Sequence, residues 1–364
     1  MAAGRLIGGR ETYRPGSGLA PAAGRARVAS PAVSGDPRPG SPAGGGDTSF
    51  TGSIPQIYDT VLVPMIFAEP ARLLAQAVAA TGAVDILETA AGTGVLTRAL
   101  ARLEGRDIVA TDLNEPMLTT AANRSASDRV RWQVADAGHL PFAACSFDLV
   151  ACQFGVMFLP DKVAGYAETL RVLRPGGVFA FNVWDRLETN AVALVVTEAL
   201  CAAAPEEPLE FFRRTPHGYF DIDRIRGELA EAGFEQITGA YLEGSSRSTA
   251  ETAAMAFCQG TPLRGEIERH SSLDLESATA IAAEALRGRY GSDEFDAPMR
   301  WLQMTARRPD RVPETRSGRR EMSDSVGIPC GDRPDHHDVE GDDQDRPPRI
   351  VRQPQEIGDD GQAQ

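Results

Sequence analysis

VDILETAAGTGVLTR, Val84 to Arg98, decides how this chain is read. Its apolar residues make a short strand that ends in an acid, Glu88; a turn with two glycines follows, and the last residues begin a helix. Gly92 and Gly94 allow positive φ and a close approach of ligand to backbone that a Cβ would block. Bare N–H groups and a carboxylate thus meet at the mouth of a parallel sheet, where a nucleoside-bearing cofactor can lie against them. A dinucleotide fingerprint wants a third Gly or Ala at position 97, where this chain has Thr97.

The strands downstream repeat the pattern. Residues 107–111 (DIVAT) are closed by Asp112, which is placed either to accept both hydroxyls of a ribose or to cap the helix that begins near Glu115-Pro116. Val130 to Ala135 ends in Asp136-Ala137 and runs into His139-Leu140-Pro141-Phe142. Phe147 to Cys152 is the apolar run that a sheet covered on both faces requires. Strands in series that each end in a polar or acidic residue at one edge are hard to explain by helix capping alone.

The chain resembles the class I S-adenosylmethionine-dependent methyltransferases, in particular the ubiquinone/menaquinone-type branch that includes many small-molecule enzymes. The resemblance rests on ETAAGTG at 88–94, TDLNEPML at 111–118, VADAGHLPF at 134–142, FDLVACQFGVMFLPD at 147–161 and RVLRPGGVFAFNVW at 171–184, and it spans residues 55–308. It implies a Rossmann-like α/β fold: a doubly wound, seven-stranded, mostly parallel sheet whose last strand is antiparallel. It also implies a cofactor site. Glu88 and the loop with Ala90, Gly92 and Gly94 would hold the methionine part; Asp112 would grip the ribose and Leu113 pack on the adenine. Asp136, with Ala137, would take the adenine amino group, and Gln153 and Phe154 would line the sulfonium side. Tyr58, in a lead-in resembling the segment that folds over the cofactor, would close the methionine end or touch substrate.

Physical chemistry agrees with the acids. S-adenosylmethionine carries a sulfonium and an α-ammonium and so favours a carboxylate-rimmed pocket, whereas a dinucleotide's phosphates favour amides and arginine. Methyl transfer is an in-line displacement at an already activated carbon, so the protein must chiefly align the partners and exclude water. A general base is needed for a hydroxyl or acidic C–H nucleophile and dispensable for a free amine or thiolate.

Composition bounds the rest. Residues 1–50 are rich in Gly, Pro, Ala, Ser and Arg without apolar periodicity, and residues 309–364 carry few large apolar groups, so both read as disordered extensions around a domain at 51–308. His336-His337 in that tail has no scaffold to fix a metal, and none is expected. Five cysteines without a C-x-x-C pair suit a reducing cytoplasm. No run reaches the ~18 apolar residues of a membrane helix. A net charge of −14 disfavours nucleic acid. The expected partner is a small-molecule methyl acceptor, and a homodimer is compatible with the sequence.

Within the core, helices are expected at 69–80, 96–103, 116–123, 162–173 and 223–232, with further strands at 178–183, 235–242 and around 298–306. Residues 185–221 are too long for a simple connection and read as a substrate-side insert. It holds a helix at 191–204 and then FFRRTPHGYF at 211–220, whose aromatics either cover the methyl-transfer site or pack the insert onto the sheet. Its polar members His217 and Tyr219 are the candidates for base or substrate hydrogen bond. Helices at 249–259 and 273–287 would shield the substrate side. The rivals are a nicotinamide-dependent oxidoreductase, against which the missing Tyr-x-x-x-Lys pair speaks, and a non-catalytic nucleoside-binding protein of the same fold.

Overall fold

The computed structural model describes residues 28–29, 46–125 and 127–310. The sequence expectations for residues 1–27, 30–45 and 311–364, His336-His337 among them, lie outside the described residues. The strands in chain order are β1 (Val28–Ala29), β2 (Asp85–Thr89), β3 (Asp107–Asp112), β4 (Val130–Val134), β5 (Phe147–Gln153), β6 (Leu173–Trp184), β7 (Glu235–Ser248) and β8 (Phe295–Arg307). They form one sheet ordered β1-β4-β3-β2-β5-β6-β8-β7. Every pairing from β1 to β6 is parallel, and β8 runs antiparallel to both β6 and β7. The doubly wound sheet with a reversed last strand is therefore as the sequence implied, with the two-residue β1 added at the edge beside β4.

The chain order reverses at β2, which lies between β3 and β5, and ligands of open α/β sheets bind at such a switch point beyond the strands' carboxyl ends. Two apolar cores, one on each face, hold the sheet. One gathers Leu74, Leu96, Leu118 and Trp132 from the early helices and β4; the other gathers Phe179, Phe181 and Trp301 with the insert and the late helices.

Three stretches differ from the sequence reading. Residues 173–177 extend β6 instead of ending a helix, because Gly176 at φ 71° lets the strand bulge between the Phe147–Leu173 and Leu149–Val178 pairs. Strands β7 and β8 run on past the end of β6: β6 stops at the Trp184–Trp301 pair, while β7 and β8 stay paired to Ser248–Phe295. Gly244, Ser245, Ser246 and Pro298 have poor strand propensity, so only the antiparallel partner, distant in sequence, reveals this extension. Finally, Ile54–Ala79 is one continuous helical run whose middle, Tyr58–Phe67, is a widened π-type helix carrying Pro64. By length and apolarity that run could cross a membrane, yet half of its most apolar window is buried inside this domain.

The insert holds helix Ala191–Ala203, the short helix Phe211–Arg214 and, before them, a single turn Leu187–Thr189. Helix Ala191–Ala203 packs on helix Leu275–Tyr290, so the insert and the C-terminal helices form one cover over the sheet's end. Cys152, Cys201 and Cys258 are free.

Candidate active site

The neighbouring strands β2 and β5 end in sharp turns at the same level. Ala90 (φ 52°) and Phe154 (φ 54°) occupy left-handed backbone there, strain of the kind that packing must hold in place and that gathers at functional sites. The two turns touch: a Cβ on Gly155 would stand 2.4 Å from the Cβ of Ala90, so only glycine fits. Above them opens a cavity of about 600 Å³.

One half of the cavity is polar. Asp112 is buried, its Oδ2 accepting the Gly92 N–H at 2.8 Å and its Oδ1 the Asn114 N–H at 2.8 Å and Nδ2 at 3.3 Å. Of roughly four carboxylate acceptor sites, capacity thus remains on Oδ2 for a ligand hydroxyl. Burial raises the Asp112 carboxyl's pKa, which those donors partly offset. Next to it, Leu113 stands 53% exposed at the mouth, one of two large apolar side chains left so open among the described residues. Asp136 and Ala137 line the rim, where Oδ1 of Asp136 accepts the Gly138 N–H at 2.8 Å. Tyr58 stacks on Phe67 at 4.8 Å, and burial, followed by the nearby Asp112 charge, raises its phenol.

Glu88 and Gly94 do not reach the cavity. Glu88 lies beneath the loop, 1% exposed, with Oε2 lacking a hydrogen-bond partner, and burial pushes its carboxyl up to about 8. Gly94 caps helix Val95–Leu100 at φ 79°, and a Cβ there would meet Trp132 at 2.8 Å and Ala121 at 3.1 Å. Its glycine serves the packing of loop against β4, not ligand approach. Gly92 differs: it lines the cavity, and a Cβ would find 3.6 Å of room to Met117. Arg98 and Arg124 are ion-paired with the buried Asp59 at 3.5 and 2.5 Å, and the Arg98 charge also bears on Glu88, partly offsetting the effect of burial on its carboxyl.

The other half is apolar. Phe154 stacks on Trp184 at 4.0 Å and 8°, and Leu62, Ile66, Met157, Phe211, Phe212 and Phe257 continue the wall. Gln153 ties this half to the N-terminal run by donating Nε2 to the Phe67 carbonyl at 3.0 Å, and its Oε1 is buried without a donor. Of the two sequence candidates in the insert, only His217 lines the cavity. Its Nδ1 lies 2.8 Å from the Asp185 carbonyl; since a carbonyl only accepts, Nδ1 carries the proton and Nε2 the free lone pair. Burial drives the imidazole down to about 4, so it is neutral near pH 7. Tyr219 faces elsewhere: its hydroxyl meets Tyr166 at 3.0 Å and Glu228, in a lock between helices Lys162–Val172 and Ile222–Glu231. The aromatics of 211–220 therefore divide, Phe211 and Phe212 covering the cavity and Tyr219 bracing the scaffold.

Residues that the sequence reading missed close the site. Asp47 receives Nε and Nη2 of Arg214 at 2.9 and 2.8 Å and the Thr215 hydroxyl at 2.6 Å. The Thr48 carbonyl and Phe50 N–H meet the Asn114 side chain at 3.1 and 3.3 Å. This strap, with Thr48 and Phe50 lining the cavity, joins the polar rim to the insert. Ser246, Pro298 and Met299 enter from the extended antiparallel β7–β8 pair. None carries a motif; fold alone assembles them.

The switch-point cavity thus has the buried Asp112 and the exposed Asp136 on one side and an aromatic-walled chamber on the other. The family model described as a methyltransferase domain matches residues 87–181. The demethylmenaquinone methyltransferase of Clavibacter sepedonicus is 45% identical over 172 residues, covering 44% of this chain and 70% of that protein. The ubiquinone/menaquinone biosynthesis C-methyltransferase UbiE of Acidiphilium cryptum is 29% identical over 172 residues, 44% of this chain and 69% of that protein. Among solved structures, the YcgJ protein from Bacillus subtilis aligns at a TM-score of 0.43 and 16% identity, covering 65% of this chain and 98% of that one. The chain belongs to the class I S-adenosylmethionine-dependent methyltransferases, in the ubiquinone/menaquinone-type branch. Membership makes it a methyltransferase acting on a small molecule and implies S-adenosylmethionine as methyl donor.

Proposed function

We propose that this enzyme methylates a hydroxylated aromatic ring of the quinol type bearing an apolar substituent, with His217 as general base. One observation carries the reading: a histidine kept neutral, with Nδ1 committed to Asp185, lines an aromatic-walled chamber. The quinone substrates named for the Clavibacter and Acidiphilium proteins are of the same chemical class.

The residues present fit S-adenosylmethionine. Gln153 Oε1, in the cavity wall, is a buried acceptor without a donor, and the buried Glu88 carboxyl lies beneath the loop, which suits a ligand with an ammonium and a sulfonium. Asp112 would hold the ribose, Leu113 the adenine face, Asp136 and Ala137 its edge, and Tyr58, Ala90 and Gly92 the methionine end, with Gln153 and Phe154 beside the sulfonium. Bound there, the cofactor supplies a methyl carbon activated for displacement. Phe154 and Trp184 would seat the acceptor ring, and the strap at 47–50 would keep water out. His217 Nε2 would take the proton of a ring hydroxyl, leaving the electron pair on the ring oxygen, or delocalised onto a ring carbon, free to accept a methyl group; for a ring-carbon acceptor, that carbon's own proton would also have to leave to restore the ring. The catalytic domain is 51–308, with 185–221 as its substrate-side insert.

The test is a radiolabelled methyl-transfer assay with reduced benzoquinols and naphthoquinols of increasing side-chain length, beside amine and thiol acceptors. Turnover confined to the quinols supports the reading; turnover of amines or thiols alone overturns it.

A further inference from the structure

The turn that holds His217 is itself held. Asp185 is fully buried, its N–H donates to the Arg300 carbonyl at 3.1 Å, and its Oδ2 receives Arg300 Nε at 2.5 Å and the Thr189 hydroxyl at 3.0 Å, while Oδ1 has no donor. Asn190 adds a brace, accepting the Arg300 N–H at 3.1 Å and donating Nδ2 to the carbonyls of Arg186 and Arg300 at 3.2 and 3.1 Å. The carbonyl that fixes the tautomer of His217 thus belongs to a residue bound through both backbone and side chain to β8.

The charges around the imidazole are already matched. From the turn after β6 come Asp185, Glu188 and Arg186, the last lying over the Phe220 ring at 5.2 Å; from the short helix before His217 come Arg213 and Arg214; from β8 comes Arg300. Arg213 lies 3.7 Å from Glu188, and Arg214 is held by Asp47 and Glu266. Among the described residues Arg300 is the one cation ion-paired with Asp185. Burial depresses His217, while Asp185 and Glu188 pull it upward. Without Arg300, a buried carboxylate beside the imidazole would lack a counter-charge, and a proton on His217 would be its nearest relief.

We propose that Arg300 is a positioning residue: by neutralising Asp185 and pinning its backbone, it keeps His217 neutral and directs the Nδ1 proton to the Asp185 carbonyl, leaving Nε2 as the base. This rests on the role of His217 proposed above, and the experiment separates the two. In the full chain, which has only five histidines, the ring protons of His217 are titrated by NMR, and the pH profile of kcat/KM is recorded alongside.

Wild type is expected to titrate near 4. Arg300→Met is expected to raise the midpoint by at least ~1 pH unit, a tenfold change in protonation, and to move the acid limb of kcat/KM with it. Arg300→Lys, which keeps the charge, is expected to titrate close to wild type. Should Arg300→Met not fold, Asp185→Asn decides: it removes the anion and is expected to lower the midpoint. A folded Arg300→Met that titrates like wild type, an Asp185→Asn with an unmoved midpoint, or an Arg300→Lys that shifts as far as Arg300→Met overturns the inference. Full activity in His217→Asn would instead overturn the base assignment while leaving the titration shifts standing.

Discussion

The main-chain N–H of Gly92 donates to Oδ2 of Asp112 at 2.8 Å, so the acid that ends β3 also clamps the loop that follows β2. One carboxylate therefore both lines the cavity and shapes the loop beside it. Asp112→Ala is expected to weaken S-adenosylmethionine binding by about 2–3 kcal/mol, since hydrogen bonds to a charged acceptor are lost and the Gly92 amide is left unpaired. Isothermal titration checks this, and unchanged affinity would place the ribose elsewhere.

The two glycines of the loop should fail in different ways. Gly94→Ala is expected to destabilise the fold by about 3 kcal/mol, combining left-handed backbone with overpacking against the buried Trp132. Gly92→Ala is expected to lower stability by only about 1 kcal/mol, because its Cβ has room, yet the added methyl faces the cavity and should cut cofactor affinity ~tenfold. Denaturant melts and titrations on both variants test the contrast; equal losses of stability would refute it.

Glu88 lies beneath the cavity and not in its lining, so a cationic cofactor would act on it through the β2 loop, and binding should release a proton from it. Its carboxyl, ordinarily near 4.5, is raised to about 8 by burial, so it is protonated near pH 7 in the free protein, and a cationic ligand favours the ionised form. Affinity should therefore rise with pH and level off above about 8, and it should be flat in Glu88→Gln. The raised carboxyl's own contribution to stability is full below 4.5 and is lost as pH rises toward 8. Calorimetry in buffers of different ionisation enthalpy reads the proton directly; no proton release near pH 7 would contradict the placement.

His217→Asn is expected to lower kcat ~100-fold with cofactor affinity unchanged, as loss of a general base does. Stability gives an independent check. Because the imidazole is lowered from 6.5 to about 4, the unfolded chain binds the proton more readily, so wild type loses stability as pH falls through that window. Relative to His217→Asn the loss should approach about 3 kcal/mol at pH 4, from ~1.4 kcal/mol per pH unit. Parallel pH dependences in the two proteins would show that His217 is not buried neutral.

The β2 loop, Asp112 and the alternation of strand and helix were legible because each is written in a few adjacent residues: an apolar run, an acid, a glycine. Asp112, Leu113, Asp136, Gln153 and Phe154 reached one cavity for that reason. Gly94 and Tyr219 show the limit. Both sit in stretches that face the site, but Trp132 claims the first and Tyr166 with Glu228 the second, and those partners lie far away in sequence. The strap at Asp47 and the residues Ser246 and Met299 of the paired strands β7 and β8 left no local signal at all.

By itself, the sequence determined the doubly wound sheet and the place of the glycine loop, because hydrophobic period and glycine geometry act over a few residues; the kind of cofactor is what its resemblance to the class I methyltransferases implies. Tertiary structure alone decided which histidine nitrogen is free, which glycine lines the cavity and which arginine balances Asp185. Those depend on burial and on neighbours brought together only when distant segments pack, and a buried group's charge and proton are set by that company.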